Sequence, residues 1–328
     1  MSKQLRVAVV AGGPSPEAEV SRSSATGIRA ALERAGHTTR RIELDATLPS
    51  ELVAYGPDVV FPIAHGPVGE DGGLQGALEV LNLPYVGAGV LASSVAAYKP
   101  TAKVLFRAAC LPVADERLVR RGESTAEAAI AVREQLGPAV VVKPASGGSG
   151  LGVTLVDADW TAVQVATALD EALESDAVAL CERRHLGKEL TCGVLERNGK
   201  VIALPATLIL PRAAGWYDFE SRYAPGGSEH QCPAPLADDV TAEVQAMALA
   251  AHRALGVRDM SRADFVLGDD NSLTLLEINT LPGMTETSLF PEAAAVAGYD
   301  FPDLCDGLVR QAAERACRSV PLAPKLPK

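Results

Sequence analysis

Val140-Val141-Val142-Lys143-Pro144 leads into Ala145-Ser146-Gly147-Gly148-Ser149-Gly150-Leu151-Gly152, and then into Val153-Thr154-Leu155-Val156. An apolar strand ends in a cation, a glycine-rich loop follows, and a second strand leaves it. Glycine lets backbone N–H groups converge closely on an anion. Two common phosphate loops are excluded. No Gly-Lys-Ser/Thr closes the loop, so it is not a Walker A motif, and a strand instead of a helix follows, so it is not a Rossmann fingerprint. Strand–loop–strand predicts a hairpin lid that folds over phosphates. The competing reading is a plain surface hairpin, and Lys143 beside the loop weighs against it.

A second hairpin lies further on. Ala263-Asp264-Phe265-Val266-Leu267 and Leu273-Thr274-Leu275-Leu276 read as strands joined by the Gly268-Asp269-Asp270-Asn271 turn. Glu277 and Asn279, two apart on the strand, share a face because side chains alternate. The hairpin brings Asp264 beside them. Such an oxygen trio suits a hard divalent cation with positions open for phosphate oxygens. Both strands are otherwise too apolar to face water, which argues against a solvated hairpin with incidental acids. Arg262 should share the face of Asp264, where a guanidinium suits a developing oxyanion.

The flanking pattern alternates strand and helix. Strands at 5–11, 39–44, 58–63 and 84–86, with helices at 17–35 and 73–82, predict a small doubly wound parallel sheet. A second block holds helices at 101–109, 124–136 and 159–173 and strands at 117–120, 139–143, 152–156 and 177–182. A third has strands at 189–196 and 200–204 around an Asn198-Gly199 turn, a Gly/Pro-rich stretch at 211–235, and helices at 238–255, 287–298 and 302–316. The expected domains are 1–97, 98–185 and 186–328, the last ending in a frayed tail from Pro321.

The length of 328 residues fits two or three domains, and 48% hydrophobic content supports real cores. A net charge of −11 argues against general nucleic-acid or membrane-surface binding, though not against a nucleotide held by a local cationic cluster. Six cysteines without C-x-x-C spacing read as reduced thiols. The N-terminus lacks the apolar core of a signal peptide and no run of 18 apolar residues exists, so a cytoplasmic protein is expected.

Other polar residues sit at strand ends, where α/β sheets bind ligands. Glu17, after Gly12-Gly13-Pro14, either caps a helix or binds an ammonium group. His65, before Gly66-Pro67-Val68-Gly69-Glu70-Asp71-Gly72-Gly73, leans functional. Lys99 opens a helix, where its charge adds to the helix terminus. Glu182 ends a strand whose backbone can bond an adenine edge, and Glu189 is placed to bind ribose hydroxyls. Residues 213–228 form a long loop whose aromatics, Trp216, Tyr217, Phe219 and Tyr223, favour an ordered lid.

Taken together, five segments in order resemble the D-alanine–D-alanine ligases of the ATP-grasp superfamily, from Gly12 to about Pro291: 12–21, 65–76, 142–152, 217–223 with 232–236, and 261–289. The resemblance implies an α/β, three-domain ATP-grasp fold, with an N-terminal doubly wound parallel sheet and two α+β domains sandwiching ATP. It also implies roles for the residues. Glu17 would bind the ammonium of the first D-alanine and His65 would lie near its carboxylate. Lys99, Lys143, Ser149 and Arg222 would serve ATP phosphates, Glu182 the adenine and Glu189 the ribose. Asp264, Glu277 and Asn279 would hold two Mg²⁺ ions, Mn²⁺ being possible. Arg262 and the Gly283 N–H would stabilise the oxyanion. Ser288 and the Leu289 N–H would take the second carboxylate. Tyr223 would bond Ser149 as the lids close. The implied activity is ATP-dependent synthesis of D-alanyl-D-alanine for peptidoglycan, by a likewise implied homodimer.

Four positions depart from the family pattern: Gly147 and Gly150 in the hairpin, Tyr98 before the first lysine, and Arg222 in place of a lysine. They bear on nucleotide affinity and lid order. Two alternatives stand beside the leading reading: a specialised ligase with another second substrate or a self-resistance role, and a weakly catalytic ATP-binding regulator.

Overall fold

The computed structural model describes residues 3–212, 216, 226–285 and 288–315. Tyr223, Arg222, the rest of the expected lid and the tail from Pro321 lie outside the described residues.

The chain opens with β1 (Arg6–Ala11), α1 (Ala18–Arg34), β2 (Thr38–Glu43), α2 (Leu48–Tyr55), β3 (Val59–Pro62), α3 (Gly73–Val80), α4 (Val90–Ala97) and α5 (Lys99–Ala108). Its first sheet is parallel in the order β2-β1-β3. β1 is buried from Val7 to Ala11, as expected of a strand covered on both faces. Next come β4 (Glu116–Arg120), α6 (Thr125–Leu136), β5 (Val140–Pro144), β6 (Thr154–Val156), α7 (Ala162–Ser175) and β7 (Val178–Arg183), forming a sheet in the order β4-β7-β5-β6. The remainder is β8 (Lys188–Arg197), β9 (Lys200–Ala203), β10 (Thr207–Pro211), β11 (Ser228–Gln231), α8 (Asp238–Ala254), β12 (Met260–Leu267), β13 (Leu273–Asn279), α9 (Leu289–Val296) and α10 (Phe301–Glu314). The third sheet runs β11-β10-β8-β12-β13, with β9 paired to β8.

Several elements differ from the sequence expectation. Residues 84–86 form only a single bridge, Val60 to Tyr85. The helices α2 and α4 are short, eight residues each, which gives little periodicity to read. The stretch read as Gly/Pro-rich from 211 to 235 contains β11, whose Ser-Glu-His-Gln sequence carries no apolar alternation; its pairing to β10 defines it. The hairpin strand β6 begins at Thr154, two residues later than expected, and α7 starts after a Thr161/Gln164 capping box.

The middle sheet has its own core, built from Val119, Val132, Val140, Val156, Leu169 and Cys181. The first sheet has one on a single face, built from Ala8, Val10, Ile42, Leu52, Val60 and Leu78. On its other face the core runs on from Val7, Ile28 and Phe61 into Met260, Phe290, Leu304 and Leu308. Helix α10 lies on the first sheet: His37 Nε2 meets Asp306 Oδ1 at 2.7 Å, while His37 Nδ1 accepts from the Leu5 N–H at 3.1 Å. Nearby, the Asp259 carboxylate is fully buried and accepts four hydrogen bonds from three groups. The Gly87 N–H reaches Oδ2 at 2.6 Å, Gln311 Nε2 reaches Oδ1 at 2.9 Å, and both terminal nitrogens of Arg315 bond it. This carboxylate joins the end of the first sheet to β12 and α10. Replacing Asp259 by Ala leaves the part-buried Arg315 guanidinium and the Gly87 N–H without their acceptor, and the expected loss is about 1–3 kcal/mol, read as a lowered urea unfolding midpoint.

Candidate functional site

The glycine-rich loop closes a hairpin as its sequence predicts, with Val140 paired to Val156 and Val142 to Thr154. Three of its glycines have left-handed backbone: Gly147 (φ 94°), Gly150 (φ 74°) and Gly152 (φ 68°). At Gly152 a Cβ would also lie 2.9 Å from Pro144 Cγ, so space and backbone both require glycine. Ser149 takes the same region, at φ 55°, with a side chain. That conformation is uncommon for a non-glycine residue, and it turns the hydroxyl to Glu17, to which it donates.

Glu17 is buried and stands at the N-cap position of α1, yet its side chain makes no capping bond. One carboxylate oxygen meets Ser149; the other lies 3.5 Å from Ser15 Oγ. The capping reading is therefore replaced by a contact between the first sheet's loop and the hairpin tip. His65, just beyond β3, is buried, and its Nε2 has no hydrogen-bond partner. Its Nδ1 is 3.9 Å from Glu70 Oε2. Glu70 also accepts from the Gly66 N–H at 3.0 Å. Gly66 is left-handed, and a Cβ there would sit 2.5 Å from Ser15 Oγ. Ser15 and Glu70 belong to this cluster and were not singled out from the sequence; their places inside the two glycine loops were the available signal.

Below the hairpin a cleft of about 210 Å³ opens between the second and third sheets, lined by Lys99, Lys143, Glu182, Glu189, Leu186 and Trp216 among others. One wall is apolar, with Val141, Val153, Leu155 and Leu276. Lys99 joins the pieces. Its N–H bonds Ala145 O at 3.0 Å, its ammonium donates to the Gly147 carbonyl, and it stands 3.4 Å from Glu277 Oε2. Glu182 lies at the floor, with Lys143 at 2.5 Å from Oε2 and Lys103 bonded to Oε1. Burial pushes the Glu182 carboxyl up, but the Lys143 and Lys103 ammoniums outweigh it and hold it down at about 2. Burial pulls the Lys143 ammonium down, and Glu182 more than offsets this, leaving it above its ordinary value. Lys103 was not assigned from the sequence, because a lysine mid-helix reads as a solvated one.

The carboxylate hairpin forms in the expected register. Asp264 pairs with Glu277 and Arg262 with Asn279, with a bulge between Asp264 and Phe265. Arg262 grips Asp264 with two bonds of 2.8 Å. Asn279 Nδ2 donates to Asp264 Oδ2 at 3.1 Å, and Thr191 Oγ1 to Oδ1 at 2.7 Å. Asp264 and Glu277 thus each face a positive group, Arg262 or Lys99, as a place built for positive charge should. The donors are all hard oxygens, which fits Mg²⁺ or Mn²⁺. Among the described residues no three His, Cys, Asp or Glu cluster, since the third member of the trio is an amide. Past β13, Gly283 and Ser288 come together: a Cβ at Gly283 would lie 3.1 Å from Ser288 Oγ. Ser288 Oγ is 2.7 Å from Thr285 Oγ1. Ser288 is the N-cap and Leu289 the first residue of α9, so backbone N–H groups and the helix dipole favour an anion there.

Comparison with known proteins agrees across the chain. A family model described as D-ala D-ala ligase C-terminus matches residues 105–310, and one described as D-ala D-ala ligase N-terminus matches 45–88. A curated D-alanine--D-alanine ligase of Desulfotalea psychrophila is 40% identical over 318 residues, covering 96% of this chain and 97% of its own. The solved D-alanine-D-alanine ligase of Coxiella burnetii has a TM-score of 0.81 at 30% identity, covering 96% and 95% of the two chains. That of Bacillus anthracis, solved in complex with ATP, has a TM-score of 0.79 at 28% identity, covering 95% and 98%.

A stability test follows from Glu182. Because its folded value is depressed, the ionised carboxylate stabilises the fold fully above its ordinary 4.5, and this contribution fades as pH falls toward about 2. Glu182→Gln is expected to flatten that part of the acid limb in urea midpoints measured across pH. At neutral pH it should cost about 3–5 kcal/mol, since Lys143 loses its carboxylate and Lys103 keeps only Glu116.

Proposed function

Because this chain belongs to the D-alanine–D-alanine ligase family, we propose that it joins two D-alanines to D-alanyl-D-alanine with cleavage of ATP to ADP and phosphate, as a step in peptidoglycan precursor synthesis. The observation that carries this reading is the cleft lined by Lys99, Lys143, Glu182, Glu189 and Glu277, with Ser149 of the hairpin above it bonded to Glu17 and Asp264 paired to Glu277 across its hairpin.

In this reading the triphosphate lies beneath the 145–153 hairpin, held by Lys99, Lys143 and backbone N–H groups, with the adenine near Glu182 and Leu186 and the ribose at Glu189. The first D-alanine puts its ammonium on Glu17 and its carboxylate near His65, whose unpartnered Nε2 supports an anion there. That carboxylate attacks the γ-phosphorus, ADP leaves, and an acyl phosphate forms. The second D-alanine docks its own carboxylate on Ser288 and the Leu289 N–H. Its amine attacks the acyl carbon. Arg262 and the Gly283 N–H stabilise the tetrahedral oxyanion, and phosphate leaves as the amide forms. Asp264, Glu277 and Asn279 would hold two Mg²⁺ ions, which supply charge neutralisation for the phosphates. Arg222 and Tyr223, outside the described residues, would close from the lid and keep water from the acyl phosphate. The domain limits 1–97, 98–185 and 186–328 belong to the same proposal, as do a homodimer and a cytoplasmic setting. For the last, no helix among the described residues is long and apolar enough to cross a membrane.

The direct test is D-alanine-dependent phosphate release with ATP and Mg²⁺, with products identified by mass against D-alanine, D-serine and D-lactate as second substrates. D-alanyl-D-alanine as the main product is expected; a different main product would move the assignment to a specialised ligase. Glu277→Gln is expected to lower kcat by at least about 10²-fold, and near-normal turnover would sink the metal assignment.

A further inference from the structure

Lys103 lies one helical turn beyond Lys99 on α5, yet it does not line the cleft; its side chain is 1% exposed. Its ammonium bonds Glu182 Oε1 and stands 2.6 Å from Glu116 Oε2. Glu116 and Glu182 face each other directly across the β4–β7 pair. Glu116 Oε1 in turn accepts from Arg107 at 2.9 Å, and Glu182 Oε2 holds Lys143 at 2.5 Å. The result is a line of alternating charge, Arg107–Glu116–Lys103–Glu182–Lys143, running from the outer face of the middle sheet to the nucleotide cleft. Arg107 is partly exposed at the outer end; Lys143 reaches the cleft at the inner end.

We propose that Lys103 is a positioning residue of the nucleotide site, acting through Glu182 to keep Lys143 available to the triphosphate. This rests on the ligase reading of the cleft. Burying an ammonium costs several kcal/mol before its partners are counted. An apolar side chain would fill the same volume, so the charge is explained by what it holds. Glu182 carries two lone-pair-rich oxygens and meets two ammoniums, one for each. With Lys103 fixed on Oε1, Lys143 is bound through a single oxygen and keeps N–H donors for a phosphate. When a phosphate draws Lys143 forward, Lys103 stays behind and keeps the Glu182 charge compensated. Without Lys103, Glu182 would close on Lys143 with both oxygens, and an uncompensated carboxylate would stand against an incoming polyanion.

The test uses Lys103→Met in the full chain, with calorimetric binding of a non-hydrolysable ATP analogue with Mg²⁺ and with steady-state kinetics. The Kd of the analogue and the KM for ATP should rise on the order of tenfold, while kcat and the KM for D-alanine stay within about twofold. Adding Lys103→Met to Glu182→Gln should cause no further loss of nucleotide affinity, because the first change acts through the second residue. Wild-type affinity in Lys103→Met, additive losses in the double variant, or an equal rise in the KM for D-alanine would each overturn the proposal. If Lys103→Met does not fold, Glu116→Gln loosens the same ammonium from its other side. It must weaken analogue binding, and unchanged binding overturns the proposal. Failure of the unmodified chain to bind the analogue would instead remove the ligase reading itself, and this inference with it.

Discussion

Lys99 sits where two sheets meet, and the site depends on the contacts it makes there. Its backbone N–H ties α5 to the root of the hairpin at Ala145, its ammonium reaches the Gly147 carbonyl, and the same ammonium faces Glu277 on β13. One side chain thus registers the phosphate loop against the carboxylate strand. Lysine can do this because its charge is a compact point on a long stem, with three donors to share among partners. In the proposed reaction the contact to Glu277 would be exchangeable, because an ammonium and a metal ion would compete for the same oxygens.

The polar groups of the site are matched in pairs across element boundaries. Arg262 neutralises Asp264, Lys143 and Lys103 neutralise Glu182, and the Ser149 hydroxyl meets Glu17. In the proposed reaction nearly all of these groups would bind substrate, nucleotide or metal, and each is held by its neighbour beforehand. Buried charges without such partners would be expensive. Preorganisation of this kind means that little reorientation is left for the moment of phosphoryl transfer.

Much of this was legible in the sequence, for physical reasons. The two hairpins were readable because strand alternation and glycine loops leave strong local patterns, while the exact Asp264–Glu277 pairing is set by the bulge between Asp264 and Phe265. The resemblance over five ordered segments added the roles. Less legible were features made by tertiary contact. Strand β11 carries no apolar alternation and exists because β10 pairs with it. Lys103 reads as a surface residue by type, and only the β4–β7 register that places Glu116 and Glu182 around it shows why it is buried. Glu17 as a cap and Glu17 as a ligand look alike until Ser149 is seen to approach from the hairpin.

Helix α10 completes the core of the first sheet, packing Leu304, Leu308 and Val309 with Val7, Val9 and Phe61. The middle sheet, by contrast, encloses its own apolar residues. During synthesis on the ribosome the first strand therefore emerges long before its last packing partner, while the middle unit has everything it needs as soon as β7 is out. The nascent chain must carry an open apolar face until about residue 312 has been added, an interval in which the earliest-made part of the protein is the most exposed to misassociation. The part that is made first is thus the last that can be finished.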